Sequence, residues 1–362
     1  MTAGAVHGHR HLVVVGSYAA ADDPGIHVVE VDTSTRQMAL LASVAGVADP
    51  SYLAVTPDGT GLYAVSETGA ERDGRAGRVH GFAVELGAGT PSLSATADRA
   101  SGGDHPCHVA VDRAGRWLAV SNYGSGSFSV LAISPHGGLG ASAASVQLHG
   151  RGPVARRQLG PHVHGAAFGP DGRHLVVADL GADRVVVYGV DPTTGSVEHR
   201  DDGDVAPGAG PRHVAFHPAG RVAVVANELD STVSTYGLDP SSGRLRAIDT
   251  HTTLPRSAPD NLVAAIGIST AGDRVYVSNR GHDSVAVFHL DPLGGLSARG
   301  AFPCGGRWPR DLVGLPDGRH LVVANEHSHH LALLPLSPDG SAVGPAVARL
   351  EVSSPTCVVS MG

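Results

Sequence analysis

The chain has 362 residues, 42% of them apolar and only 17% charged, with 49 Gly and 24 Pro. Sparse charge on an apolar background excludes a disordered chain, and so many turn formers favour short strands over long helices. The 26 cations and 34 anions leave a net charge of −8 with no basic run, which excludes a nucleic-acid partner.

Every cation is arginine, since the sequence contains no lysine. Schiff-base chemistry and a Walker-type phosphate loop are therefore ruled out. Cys107, Cys304 and Cys357 form neither a disulfide framework nor a CxxC metal signature. The apolar run from Leu12 to Val15 is too short for a secretory leader, and no stretch approaches a membrane span. A cytoplasmic protein without membrane association is expected, with residues 1–10 flexible.

In chain order, Leu12–Tyr18 reads as an apolar strand ending in polar residues, and Ile26–Asp32 and Met38–Val44 as two more. A repeating unit then begins. Pro50-Ser51-Tyr52 opens a short strand, Pro57-Asp58-Gly59 makes a turn, and Leu62–Glu67 forms a second strand. The unit returns at Pro106-Cys107-His108 and again at Val163-His164-Gly165. Its clearest copy runs from Gly210-Pro211-Arg212-His213 through Pro218-Ala219-Gly220 to Asn227-Glu228. A weaker copy spans Val263 to Arg280, another runs from Pro309-Arg310-Asp311 to Glu326, and the last, Pro355-Thr356-Cys357, stops after one strand. Third strands follow the polar ends, as at Val185–Tyr188, Thr232–Tyr236 and Ser284–Phe288. Long insertions fall at Thr68–Gly77, Gly137–Pro161 and His251–Asn261 and are expected to rim one face.

The first strands recur 46 to 57 residues apart, enough for four short strands each. The sequence predicts an all-β fold, a seven-bladed β-propeller of four-stranded antiparallel blades in one domain, 1–362. The C-terminal copy has only a first strand and the N-terminal copy only later ones. The ring is thus expected to close by joining the N-terminal strands to a C-terminal innermost strand, leaving no free edge.

Antiparallel pairing sets the start of each first strand beside the end of the second, so both positions face one end of the channel. One column reads Ser51, Cys107, His164, Arg212, Ala264, Arg310, Thr356; the next reads Tyr52, His108, Gly165, His213, Ala265, Asp311, Cys357. The second strands end in Gly16, Ser66, Asn122, Asp179, Asn227, Asn279 and Asn325, followed by Ser17, Glu67, Tyr123, Leu180, Glu228, Arg280 and Glu326. The Asn-rich column repeats too regularly for one substrate and reads as turn bracing. The inner columns stay polar but differ from blade to blade, which points to an asymmetric pocket rather than to uniform packing. The competing reading is a solvated channel of weak ion pairs. Cys107 reads as a buried inert thiol rather than a nucleophile. Glu326-His327-Ser328-His329-His330 lacks metal-ligand spacing, so neither a metal nor a cofactor is expected.

Pro211-Arg212-His213-Val-Ala-Phe-His-Pro, Asn227-Glu228-Leu-Asp-Ser-Thr, Ser278-Asn279-Arg280-Gly-His-Asp-Ser and Pro161-His162-Val-His164 resemble, in order, motifs of the lactonase-type seven-bladed propellers. That family includes bacterial 6-phosphogluconolactonases and the fungal carboxy-muconate lactonising enzyme. The resemblance covers essentially the whole chain and implies catalytic roles for His164, Arg212, Glu228 and Arg280. His108, His162, His213, Arg310 and Asn227 are the expected substrate-binding residues. Members carry an acidic residue after the Ala-Ala of the fifth copy, where this chain has Ala265. The resemblance therefore supports lactone chemistry more than one particular lactone.

The implied substrate is a small anionic sugar lactone such as 6-phosphogluconolactone, in carbohydrate metabolism and the pentose phosphate pathway. The protein is expected to act as a monomer or weak homo-oligomer. Glu228 or His164 is the expected base that activates water, and arginines the groups that stabilise the oxyanion and clamp an anionic group. No GxSxG elbow is present, which disfavours an acyl-serine. Two alternatives are a lactone-forming cycloisomerase of the muconate type and a non-catalytic ligand- or protein-binding propeller. The latter would have a blocked or apolar channel mouth and would hold the four catalytic candidates apart.

Overall fold

The computed structural model describes residues 8–70, 74–87, 91–255 and 260–361. Strands β1 (Arg10–Ser17), β2 (Ile26–Asp32) and β3 (Gln37–Val44) open the chain. Next come β4 (Leu53–Val55), β5 (Gly61–Ser66), β6 (Arg78–Glu85) and β7 (Ser92–Ala100). The third group is β8 (Pro106–Val111), β9 (Trp117–Asn122), β10 (Ser127–Ile133) and β11 (Leu139–Gln147). The fourth is β12 (Val163–Phe168), β13 (His174–Asp179), β14 (Arg184–Val190) and β15 (Val197–Gly203). The fifth comprises β16 (Pro211–Phe216), β17 (Val222–Asn227), β18 (Thr232–Leu238) and β19 (Leu245–Thr252). The sixth holds β20 (Leu262–Ile268), β21 (Arg274–Arg280), β22 (Ser284–Leu290) and β23 (Leu296–Pro303). The seventh holds β24 (Pro309–Gly314), β25 (His320–Asn325), β26 (His330–Pro335) and β27 (Ala348–Glu351), and β28 (Pro355–Ser360) ends the chain.

These strands make seven four-stranded antiparallel sheets. β28 pairs with β1, so the last strand of the chain becomes the innermost strand of the first blade. β28 also packs between β24 and β4, which closes the ring of inner strands. The expected architecture and closure are both present. Of the segment expected to be flexible, residues 1–7 lie outside the described residues, and Arg10 pairs with Asp32 at the start of β1.

Core formation follows from the alternation within the strands. Second and third strands are buried on both faces, as in Val222–Asn227 and Val185–Val187, and each blade packs against the next. Seven hydrophobic clusters among the described residues fill the seven interfaces. Val13, Val15 and Val29 meet Leu331 and Leu333 at the closing interface. A fully buried Val or Leu contributes roughly 1.5–3 kcal/mol, so the ring is held by many equal interfaces rather than one core.

The insertion read from Gly137 to Pro161 is shorter than expected, because β11 lies inside it. Its sequence, Leu-Gly-Ala-Ser-Ala-Ala-Ser-Val-Gln, is largely solvent-facing. An outermost strand needs little apolar content, and β11 therefore lacks the pattern that marks inner strands. Parts of the other two insertions, residues 71–73 and 256–259, lie outside the described residues.

One feature of the inner strands positions the site. Pairing jumps between Pro106/His108, Val163/Gly165, Pro211/His213 and Pro309/Asp311, so Cys107, His164, Arg212 and Arg310 are each the extra residue of a β-bulge. Thr356 occupies the same place in β28, and the shift in β20 falls between Val263 and Ile266. A bulge bends its strand and re-aims a side chain that the regular pleat would send elsewhere.

Asp311 ties the ring shut. Its buried carboxyl accepts hydrogen bonds from the N–H of Leu312 and, across to β28, of Val358, both at 2.9 Å. Burial raises its pKa to about 6, with those two N–H groups opposing the shift. Asp311→Ala orphans both donors and is expected to cost about 1–3 kcal/mol for each. The folded pKa is raised, so the carboxyl stabilises most below its unfolded value of 3.8. The gap between wild type and variant should narrow as pH rises through about 6. Urea denaturation across that range checks both statements; a gap that widens with pH contradicts them.

Candidate active site

Glu228 follows β17 at the channel end and is 2% exposed. Its Oε2 lies 3.0 Å from Arg212 Nε and 2.7 Å from Arg280 Nη2, and its Oε1 lies 2.6 Å from Arg157 Nη2. Two blades and one connection supply these groups: the β16 bulge gives Arg212, the end of β21 gives Arg280, and the stretch between β11 and β12 gives Arg157. Arg280 also donates to Val263 O and stands 5.6 Å from the Trp308 ring centroid.

Burial alone would raise the Glu228 pKa, but Arg280 and Arg212, with smaller help from His164 and Arg157, hold it well below the usual carboxylate range. Burial in turn lowers the pKa of Arg280 to about 10 and that of Arg212 in the same direction, with Glu228 opposing both shifts. All of these groups are charged at neutral pH.

Beside the cluster lies a group of imidazoles and phenols. His213 Nε2 is 3.1 Å from Arg212 Nη1. The His213 ring lies 5.0 Å from His108, 5.5 Å from His164 and 5.4 Å from Tyr52. His162 stacks on Tyr123 at 4.4 Å, and Tyr123 meets His164 edge-on at 5.5 Å. Burial, reinforced by Arg212, depresses the pKa of His108 to about 3 and pushes those of His164 and His213 well down. All three rings are therefore neutral. His164 Nδ1 is 3.7 Å from the Cys107 thiol, whose own pKa burial raises, so Cys107 is a protonated neighbour rather than a thiolate.

Arg310 stands apart from the Glu228 cluster. Its Nη2 donates to Tyr18 Oη at 2.5 Å, its Nη1 lies 3.5 Å from Glu326 Oε2, and its guanidinium lies over the Tyr18 ring. Tyr18 in turn donates to Glu67 at 3.2 Å. Asn227 is not aimed at the others. Its amide donates to Thr232 and Ser234, as Asn122 does to Ser127 and Asn279 to Ser284. These contacts brace the turn into the third strand, as expected of the column, while Asn227 Oδ1 is a buried acceptor without a hydrogen-bond partner among the described residues.

The three His rings of the Glu326–His330 segment go to separate partners. His327 stacks on Trp308, His329 accepts from the Ser354 N–H, and His330 bonds to Ser328 and Gly305. Among the described residues no group of three or more His, Cys, Asp or Glu is placed to hold a metal ion.

Sequence reasoning missed Arg157 as a site residue, along with Tyr18 and the stacking role of Tyr123. Tyr18 and Tyr123 each follow a second-strand terminus and were visible as rim positions. Arg157 carries no repeat signal, because it sits in an insertion.

Glu228→Gln leaves Arg212 and Arg280 as buried, poorly compensated charges. The variant is expected to lose about 3–5 kcal/mol at about pH 7. The folded pKa is depressed, so this stabilisation is fully present above the unfolded value of 4.5 and is lost as pH falls through the folded one. Urea denaturation should show the gap shrinking at about pH 3; a constant gap contradicts the charged cluster.

A match to the family described as lactonase, seven-bladed β-propeller, spans residues 12–360. A 6-phosphogluconolactonase of Bacillus subtilis strain 168 is 32% identical over 351 residues, covering 96% of this chain and 98% of the relative. A 6-phosphogluconolactonase of Formosa agariphila is 31% identical over 315 residues, covering 85% of this chain and 87% of the relative. The structure of a periplasmic gluconolactonase from Pseudomonas aeruginosa superposes with a TM-score of 0.87 at 29% identity, covering 98% of this chain and 99% of the other. With these likenesses added to the propeller and its arginine–glutamate centre, the chain belongs to the lactonase family of seven-bladed β-propellers.

Proposed function

We propose that the protein hydrolyses a sugar lactone of the gluconolactone type at the Glu228 end of the channel. The observation that carries this reading is the placement of a neutral His164 beside arginines that a buried Glu228 keeps charged and fixed. The relatives named as acting on such lactones support it. A non-catalytic propeller would have a blocked or apolar mouth and separated side chains. Here Arg212 and Arg280 share one carboxylate oxygen, and the His164, His213 and His108 rings cluster together.

Hydrolysis adds water to the lactone carbonyl, builds an oxyanion, then breaks the ring C–O bond and protonates the released alkoxide. A base must take the water proton and later return it. Glu228, with cations at both oxygens, is too weak a base, so the role falls to His164. Its basicity is held down by burial and by Arg212 and Arg310. An anionic substrate offsets those charges and raises that basicity when it binds.

Arg212 and Arg280 supply fixed donors for the oxyanion, and Glu228 orients both. His108 Nδ1 and Ser51 Oγ are buried polar atoms without a hydrogen-bond partner among the described residues, suited to substrate hydroxyls. We assign His213, His162 and Arg310 to further contacts with the substrate. No helix among the described residues is long and apolar enough to cross a membrane. We place the reaction in the cytoplasm if the substrate is phosphorylated, as in the pentose phosphate route.

The test is lactone hydrolysis followed by proton release, with 6-phosphogluconolactone and glucono-lactone as substrates. Arg212→Ala and His164→Ala should each lower kcat/KM by about 100-fold or more. Wild-type kcat/KM should stay flat as pH falls through about 6.5, because His164 is already neutral in the free enzyme. Variants indistinguishable from wild type, or no hydrolysis above the spontaneous rate, defeat the proposal. Muconates assayed by loss of ultraviolet absorbance test the lactone-forming direction.

A further inference from the structure

The geometry points to Arg157 as the residue that selects a phosphorylated over an unphosphorylated lactone, an inference that rests on the lactone-hydrolase reading above. Arg157 differs from the other cations of the site in origin and in exposure. It comes from the segment between β11 and β12 rather than from a blade strand, and its side chain is 32% exposed, against 3% for Arg212 and 6% for Arg280.

The segment is a built strap. Gln158, 1% exposed, donates from Nε2 to Leu180 O at 2.8 Å and to Asp183 Oδ1 at 2.7 Å. Its Oε1 accepts from the Val154 N–H, and its carbonyl accepts from the Gly152 N–H. Asp183 also accepts from Gly208 and Gly210, just before β16. The strap is therefore pinned to the blade it crosses and to the approach to the next, and it delivers Arg157 to the mouth at a fixed place.

The pairing at Glu228 makes Arg157 exchangeable. Arg212 and Arg280 hold Oε2, whereas Arg157 holds Oε1. If Arg157 turns to a ligand, Glu228 keeps two buried cations and is not left uncompensated. Both hydrogen bonds of Arg157, to Glu228 and at 3.5 Å to Tyr123 Oη, use Nη2. Nε and Nη1 have no protein partner among the described residues, and once Nη2 leaves Glu228 it forms with either of them the planar fork that fits a phosphate. Arg310 is the weaker candidate, because Tyr18 and Glu326 already occupy it and no second cation would replace it there. With the reacting carbonyl at buried Arg212, the more exposed Arg157 is the cation of this cluster left for the far end of the lactone.

The experiment compares wild type, Arg157→Ala and Arg157→Lys on 6-phosphogluconolactone and glucono-lactone. In Arg157→Ala the ratio of the two kcat/KM values, phosphorylated over unphosphorylated, should fall about 10- to 100-fold, and Arg157→Lys should recover part of it. A ratio within about twofold of wild type means that Arg157 only braces Glu228 and overturns the inference. Calorimetric binding of 6-phosphogluconate and gluconate, which needs no turnover, separates the two claims. Loss of the preference for 6-phosphogluconate in Arg157→Ala upholds the role of Arg157 even if no lactone is hydrolysed. An unchanged preference overturns that role even if hydrolysis is confirmed.

Discussion

A carboxylate buried among arginines is the constraint on which the rest depends. Moving Glu228 and two guanidinium groups out of water is costly, and only close mutual pairing offsets that cost. The pairing in turn needs side chains from different blades to meet at one point, and the propeller provides this by bringing the ends of its inner strands round one axis. A buried pair of this kind is a weak device for stability compared with packed apolar residues. Its better use here is electrostatic: it fixes arginines, charged and desolvated, where a reacting carbonyl needs donors that do not have to reorganise.

The β-bulges connect fold to site. Regular pleating would alternate the inner-strand side chains between the two blade faces, where they would meet hydrophobic neighbours. The extra residue at Cys107, His164, Arg212 and Arg310 breaks that alternation at the channel end of each strand. Each blade can then carry a different residue there without disturbing its packing, which explains how a repeating scaffold supports an asymmetric pocket. The Asn column does the opposite work. It is the same in four blades because every blade has the same turn to brace.

Much of this was legible in the sequence for identifiable reasons. Inner and second strands are short apolar runs bounded by Gly turns, so they could be counted, and the half-repeats at the two termini implied the closing blade. His164, Arg212 and Glu228 stood out because they lie in columns that stay largely polar yet differ from blade to blade. Outermost strands such as β11 were not legible, since solvent-facing positions accept Ala, Ser and Gly. Arg157 lies 71 residues from Glu228 and Arg310 lies 292 from Tyr18. Neither pairing leaves a periodic trace, and each depends on where the ring places distant loops. Asn227 was legible as a brace from its column, since the same residue recurs at that place in four blades.

The most direct test of the account is a crystal structure with gluconate or 6-phosphogluconate bound. The account predicts the product carboxylate at the channel end, within hydrogen-bond distance of Arg212 and of the His164 ring, with Glu228 still paired to Arg212 and Arg280. A product seated elsewhere would contradict it, for instance in the groove of about 670 Å³ lined by Arg173, His174 and Arg200. So would a Glu228 carboxylate released from its arginines to contact the ligand.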